Sequence, residues 1–266
     1  MQENRPLGIT YGGGETDWFR FGSGEKTLAI IPGMSIKPIS HSAEAIAAAF
    51  ADFACDRTVY VFGRGRKVRE DVSIETLAAD VAEAMDGLGL RGADVFAVSL
   101  GGMIALRLAL TRPELVRSLV LCSTCAGLGE FGRAETGKWA ALADRGDGAA
   151  LCREMIAAIY SPEFVAENRS AFDLLESMGE PDDIDRIGRL VRATAGFDVT
   201  GELGRITCPA FVLGSERDAV LSPEAVRALA EGLGCDIYMY EGYSHAVYDE
   251  APDFRGRIRE FFASVR

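Results

Sequence analysis

Six short apolar runs, none with a polar face, recur along this chain: Leu28-Ala29-Ile30-Ile31, Val59-Tyr60-Val61-Phe62, Val95-Phe96-Ala97-Val98, Leu119-Val120-Leu121-Cys122, Phe211-Val212-Leu213 and Ile237-Tyr238-Met239-Tyr240. A strand that is apolar on both faces must be covered on both, and most of these runs are separated by helix-like stretches that supply the cover. Before them, Leu7-Gly8-Ile9-Thr10-Tyr11 and Asp17-Trp18-Phe19-Arg20-Phe21 flank Gly12-Gly13-Gly14, the pattern of a hairpin with a glycine turn. The expected class is α/β, a mostly parallel sheet of about eight strands with helices on both faces.

The helical stretches carry their own punctuation. Ser73 is placed to cap a helix that turns Leu77, Val81, Met85 and Leu88 to one side and ends near Gly87 and Gly89. Ser222 followed by Pro223 starts another, stopped near Gly232. Pro252 precedes a last helix that buries Phe254, Ile258, Phe261 and Phe262.

Between Cys125 and Ile206 the strand signal disappears, and helices are expected over 136–143, 148–159, 162–177 and 184–195. The expected organisation is a core in two parts, 1–125 and 206–266, interrupted by an all-helical cap at 126–205. Such an insert is expected to lie over the carboxyl edge of the sheet, where open α/β sheets bind ligands.

Composition excludes several classes of partner. A chain of 266 residues with a formal net charge of −12 and no long basic run is poorly suited to hold nucleic acid or an anionic membrane surface. No stretch is long and apolar enough to cross a bilayer, and residues 1–6 lack an apolar signal-type run. The six cysteines are scattered through a chain too large to need stapling, which points to free thiols and the cytoplasm. Cys122 and Cys125 form half of a redox or zinc motif, but no second pair or nearby histidine completes it, so neither metal nor other cofactor is expected.

The reactive residue is expected at Ser99, in Ala97-Val98-Ser99-Leu100-Gly101-Gly102, between an apolar strand and the helix that opens with Met103. A turn this sharp strains its central residue and needs small neighbours, which Ala97, Gly101 and Gly102 provide. A serine hydroxyl needs a base within hydrogen-bond reach, and that base needs a third group to orient it. Only His41 and His245 are available. His245 follows the last apolar run in Gly242-Tyr243-Ser244-His245, while His41 reads as a residue at a helix start. Asp218 follows the strand of Phe211 and is the expected orienting acid, with Glu216 and Asp198 as alternatives.

The order serine, acid, histidine, with this turn around Ser99, resembles the α/β-hydrolase family. The resemblance covers nearly the whole core: the hairpin, Ile31-Pro32-Gly33-Met34 where the family places its oxyanion loop, the elbow, the acid loop and the histidine loop. It implies main-chain N–H donors at Met34 and Leu100. Two positions depart from the family pattern, Ala97 standing for the first elbow glycine and Pro32 for a frequent histidine.

Serine at the nucleophile position sets the chain apart from dehalogenases and epoxide hydrolases, which use aspartate there. The resemblance implies a cofactor-independent serine hydrolase of a small ester, lactone or related acyl compound. Carbon–carbon bond hydrolases and proline iminopeptidases are the enzyme alternatives, the latter kept by Asp173, Glu176 and Glu180. A small-ligand binding or receptor protein on the same fold is the alternative outside catalysis. Gly33, Trp139, Tyr160 and Arg64 are the candidates for substrate contact. Arg66, Lys67, Met155, Phe172 and Met178 also belong to loops or helix faces that could approach it.

Overall fold

The computed structural model describes residues 8–13, 16–65, 67–177 and 180–265. In chain order the main elements are β1 (Thr10–Gly12), β2 (Trp18–Phe21), β3 (Lys26–Ile31), α1 (Ala43–Ala49), β4 (Arg57–Phe62), α2 (Ile74–Gly87), β5 (Ala93–Val98), α3 (Leu100–Thr111) and β6 (Val116–Cys122). Then come α4 (Glu130–Asp144), α5 (Gly148–Ile159), α6 (Pro162–Glu167), α7 (Arg169–Ser177), α8 (Pro181–Ala195), β7 (Ala210–Ser215), α9 (Pro223–Leu233), β8 (Asp236–Tyr240), α10 (Val247–Glu250) and α11 (Phe254–Ser264).

The strands form one sheet in the order β1-β2-β4-β3-β5-β6-β7-β8. β1 and β2 pair antiparallel, β2 joins β4 antiparallel, and every later pairing is parallel. This is the sheet that the apolar runs and the opening hairpin predict. Leu7 and Gly14 of that hairpin lie outside the described residues.

Period-2 alternation divides the core. Along β5, Ala93, Val95 and Ala97 face the layer that contains α2, α3 and α9, while Phe96 and Val98 face α1 and α11. On the second side the Phe96 ring lies 5.8 Å from Phe50 and 5.8 Å from Phe254, centroid to centroid. At about 25 cal/mol per Å² of apolar surface, burial on this scale is what holds the layers together.

Local signals set the helix ends. Ser73 and Thr76 form a reciprocal capping box at α2, and Ser222 with Pro223 opens α9, which Gly234 ends in a left-handed conformation (φ 62°). In the insert between β6 and β7, α5 occupies 148–159 as expected, but the single helix expected over 162–177 is two. The break falls at Asn168, whose side-chain amide donates to the Phe164 carbonyl at 2.9 Å. Neither Gly nor Pro marks it in the sequence. Among the described residues no helix is long and apolar enough to cross a membrane.

Candidate active site

Loops from the carboxyl ends of β3, β5, β7 and β8 carry Gly33–Met34, Ser99, Asp218 and His245 respectively. Parallel strands bring these segments, distant in sequence, to one edge of the sheet.

Ser99 stands between the last residue of β5 and the first of α3 with φ 53° and ψ −122°, a region that costs a non-glycine residue about 1–3 kcal/mol. The surroundings hold it there. Its N–H donates to the Cys122 carbonyl (2.9 Å), and its own carbonyl accepts from Gly102 N–H (2.8 Å) and from the Thr124 hydroxyl (2.8 Å). A side chain at Gly101 would collide with the carbonyls of Ile31 and Pro32, and one at Gly102 would strike Thr124. The small residues of the elbow are therefore required by contact on both sides.

His245 and Asp218 form a buried pair, 2% and 4% exposed. His245 Nδ1 lies 2.9 and 2.8 Å from the two Asp218 carboxylate oxygens. Oδ1 also accepts from the N–H groups of Val220 (2.8 Å) and Leu221 (3.0 Å). Burial alone would push the Asp218 carboxyl up. The charge of His245 and the hydrogen bonds from His245, Leu221 and Val220 together outweigh it, and the carboxyl is held below its usual range. An ionised carboxylate only accepts, so Nδ1 carries the ring proton and Nε2 is left as the acceptor. The alternative acids lie elsewhere: Glu216 pairs with Arg227, and Asp198 accepts from Thr200.

The histidine loop is anchored at its main chain. The Ser123 hydroxyl donates to the His245 carbonyl at 2.7 Å, and Ala246 N–H donates to the Ile159 carbonyl at 2.8 Å. Ser123 is itself left-handed (φ 46°), so the ends of β5 and β6 each present a strained serine. Ser123 and Thr124 carry no motif in the sequence, and only the pairing of β5 with β6 reveals them.

Ser99, His245, Gly33, Met34 and Leu100 line a single narrow cavity of about 30 Å³. Leu100 is the first residue of α3, so its N–H has no acceptor within the helix. Leu128, Trp139, Ile159, Val220 and Leu221 supply apolar wall, Trp139 and Ile159 coming from the insert. The Trp139 indole N–H is buried without a hydrogen-bond partner among the described residues. Thr136, Thr194 and Tyr248 also face the cavity and were not singled out by the sequence. Desolvation pushes the Tyr248 hydroxyl well above its ordinary value, which keeps it a neutral donor.

Two residues expected to touch substrate lie away from this cavity. Arg64 is buried and turns back beneath the oxyanion loop, donating to the carbonyls of Pro32 (2.7 Å) and Gly33. A buried guanidinium takes the acceptors within reach, and these are main-chain oxygens. Tyr160 ends α5, where its ring packs on Phe164 and Phe172 and its hydroxyl donates to Asp249 at 3.2 Å. Met155 is buried in the core and Phe172 in that aromatic cluster, while Lys67 is exposed. Arg66 and Met178 lie outside the described residues. Asp173 and Glu176 are paired with Arg169 and Arg153. His41 sits exposed in a short 3₁₀ turn. Among the described residues no group of three or more His, Cys, Asp or Glu side chains is arranged to hold a metal ion. Burial pushes the Cys125 thiol up to about 12 and the Cys122 thiol higher still.

The sequence model of the Alpha/beta hydrolase family matches residues 30–254. The chain belongs to the alpha/beta hydrolase family. Similar members include a protein of Stutzerimonas stutzeri named "Putative carbamate hydrolase RutD", 27% identical over 186 residues that make up 68% of this chain and 70% of the relative. A protein of the same name from Pseudomonas savastanoi pv. phaseolicola is 26% identical over 218 residues, 77% of this chain and 83% of the relative. Among solved structures, MGS-M2, an alpha/beta hydrolase enzyme from a Medee basin deep-sea metagenome library, superposes with a TM-score of 0.84 at 22% identity, covering 97% of this chain and 98% of its own. The enol-lactonase of Burkholderia xenovorans LB400 gives 0.81 at 18% identity over 96% and 100%. At these identities the two structures speak to the fold.

Proposed function

We propose that this alpha/beta hydrolase is a cofactor-independent serine hydrolase of small, uncharged acyl compounds such as esters, lactones and carbamates. The observation that carries the reading is the buried Asp218–His245 pair opening on the cavity that Ser99 lines. Among the described residues no Asp, Glu, Lys or Arg side chain lines that cavity, which favours a neutral substrate. The names of the relatives extend the acyl class to carbamates.

In this reading His245 Nε2 takes the Ser99 proton as Oγ attacks the acyl carbon, and the ring then gives that proton to the leaving group. Asp218 keeps the ring in its reactive tautomer and stabilises the imidazolium. The N–H groups of Met34 and Leu100 receive the developing oxyanion, each worth about 3–4 kcal/mol in comparable sites. Water, activated by His245 in the same way, then releases the acyl group.

Residues 126–205 act as a cap. Their helices supply part of the cavity wall, and a cavity of about 30 Å³ has room for only about two water molecules, so substrate enters when the insert shifts. Six cysteines without a disulfide fit the cytoplasm.

A fluorophosphonate probe tests the nucleophile. Wild type is expected to label rapidly at Ser99, and Ser99→Ala not at all. If neither labels, catalysis by Ser99 is refuted and a ligand-binding protein on this fold takes its place.

A further inference from the structure

The loop that carries Met34 is gripped from two directions. Arg64, from the loop after β4, donates to the carbonyls of Pro32 and Gly33, and Arg186, from α8, donates to those of Ser35 (2.8 Å) and Ile36 (2.6 Å). Both guanidiniums are buried, 6% and 2% exposed. Among the described residues neither makes a salt bridge; the nearby Asp183 is taken by Lys37 at 2.7 Å. Burying a cation without a counter-ion costs several kcal/mol. Here two such guanidiniums meet four carbonyls of one short loop: burial first and the charge of Arg186 second pull Arg64 down to about 9, while burial lowers Arg186 and the charges of Asp183 and Asp17 offset part of that.

What the grip accomplishes follows from peptide geometry. No cis peptide occurs among the described residues, so the Gly33 carbonyl and the Met34 N–H point in opposite directions across one plane. Holding that carbonyl on Arg64 turns the N–H of Met34 away from Arg64. Ser99 is close to this peptide: its Cβ would be 3.3 Å from a Cβ at Gly33. The second half of the loop is held to α8 by Arg186 and by the Lys37–Asp183 bridge, beside the Ser35 hydroxyl's own bond to the Lys37 carbonyl (2.8 Å).

We infer that Arg186 is a positioning residue for the oxyanion donor at Met34, so that docking of the helical insert and completion of the oxyanion hole are one event. The inference rests on the proposed serine mechanism. Arg186 touches no substrate in it; it acts by orienting a main-chain N–H whose partner exists only in the transition state. Arg64 holds the first half of the same loop from the core.

The test compares wild type, Arg186→Met, Arg186→Lys and Lys37→Met with an activated ester as substrate and a trifluoromethyl ketone as a probe of the tetrahedral oxyanion. Arg186→Met is expected to lower kcat about 10- to 100-fold with KM nearly unchanged, and to weaken the ketone by the same factor. Arg186→Lys restores part of both, because it keeps the charge but not the fork. A folded Arg186→Met with wild-type kcat and ketone affinity overturns the inference, as does a rise in KM alone. Should Arg186→Met fail to fold, Lys37→Met decides: a smaller loss, matched in kcat and ketone affinity, supports the inference, and unmatched or absent losses overturn it. A wild type that neither turns over the ester nor binds the ketone would overturn the serine mechanism itself, a result distinct from an active wild type with unaffected variants.

Discussion

Two aspartates are buried at opposite ends of the parallel strands, Asp94 at 1% exposure and Asp218 at 4%. Asp94 sits near the start of β5 and is surrounded by permanent cations: Arg57, which reaches past β3, and Arg117 at 2.6 Å. The Ser118 hydroxyl donates to it at 2.6 Å. The same arginines tie the cluster to the C-terminal helix, Arg57 lying 5.4 Å over the Phe262 ring and Arg117 donating to the Val265 carbonyl at 3.2 Å. Asp218, past the end of β7, has instead two main-chain N–H groups and one imidazole. Asp94, locked between two arginines at the end of the strands away from Ser99, serves the frame. Asp218, held by two main-chain N–H groups and paired with an imidazole, is placed to orient that ring through a reaction.

The sharpest way to break this comparison is to neutralise each carboxylate in turn. Asp218→Asn is expected to lower kcat about 10⁴-fold, as when an orienting acid is lost and the histidine takes the wrong tautomer, with a smaller loss of stability than Asp94→Asn. Steady-state kinetics and thermal denaturation on one preparation check both halves. Asp94→Asn should do the reverse: a loss of about 3–5 kcal/mol in urea unfolding, because the buried Arg57 and the half-buried Arg117 lose their counter-charge, with kcat of the folded protein within a few-fold of wild type. Equal effects of the two substitutions on either quantity would erase the distinction.

Acid titration sharpens the comparison by a smaller amount. The Asp218 carboxyl is held below its usual range in the native state. Its ionisation therefore adds stability that is fully present above the unfolded value of about 3.9 and is lost as pH falls through the lower native value. In urea unfolding from pH 7 to 3, the stability difference between wild type and Asp218→Asn is expected to be constant down to the ordinary carboxylate range and to shrink below it. A difference that grows with acidity would reverse the sign assigned here.

The two sites were not equally legible in the sequence. Periodicity reads which faces are covered, and so the eight strands, the elbow at Ser99 and the loop of His245 were all readable. Asp218 was the expected acid, but Glu216 and Asp198 stayed as alternatives, because the choice depends on how that loop folds back on Val220 and Leu221. Asp94 reads as one residue of a buried strand, and nothing in its neighbourhood announces Arg57 or Arg117, which reach it through strand order and register. Arg64 was misread for the opposite reason. A basic residue after a strand end reads as a solvated loop charge or a substrate contact, whereas its stem is long enough to return beneath the chain and meet carbonyls. Arg186 is one of several charges in an amphipathic helix, and its role is visible only once α8 lies against residues 35 and 36.

Gly101 touches the carbonyls of Ile31 and Pro32 with no side chain between them. Backbone therefore rests on backbone where the helix bearing Leu100 meets the loop bearing Met34, and the gap between these two N–H groups is set by atoms every residue shares. Arg64 and Arg186 hold the loop to that contact, whereas side chains that only line the pocket can change without altering it. Solved structures sharing only 18–22% of their residues with this chain superpose on it; in this chain, the contact that spaces the two donors is one of main chain on main chain.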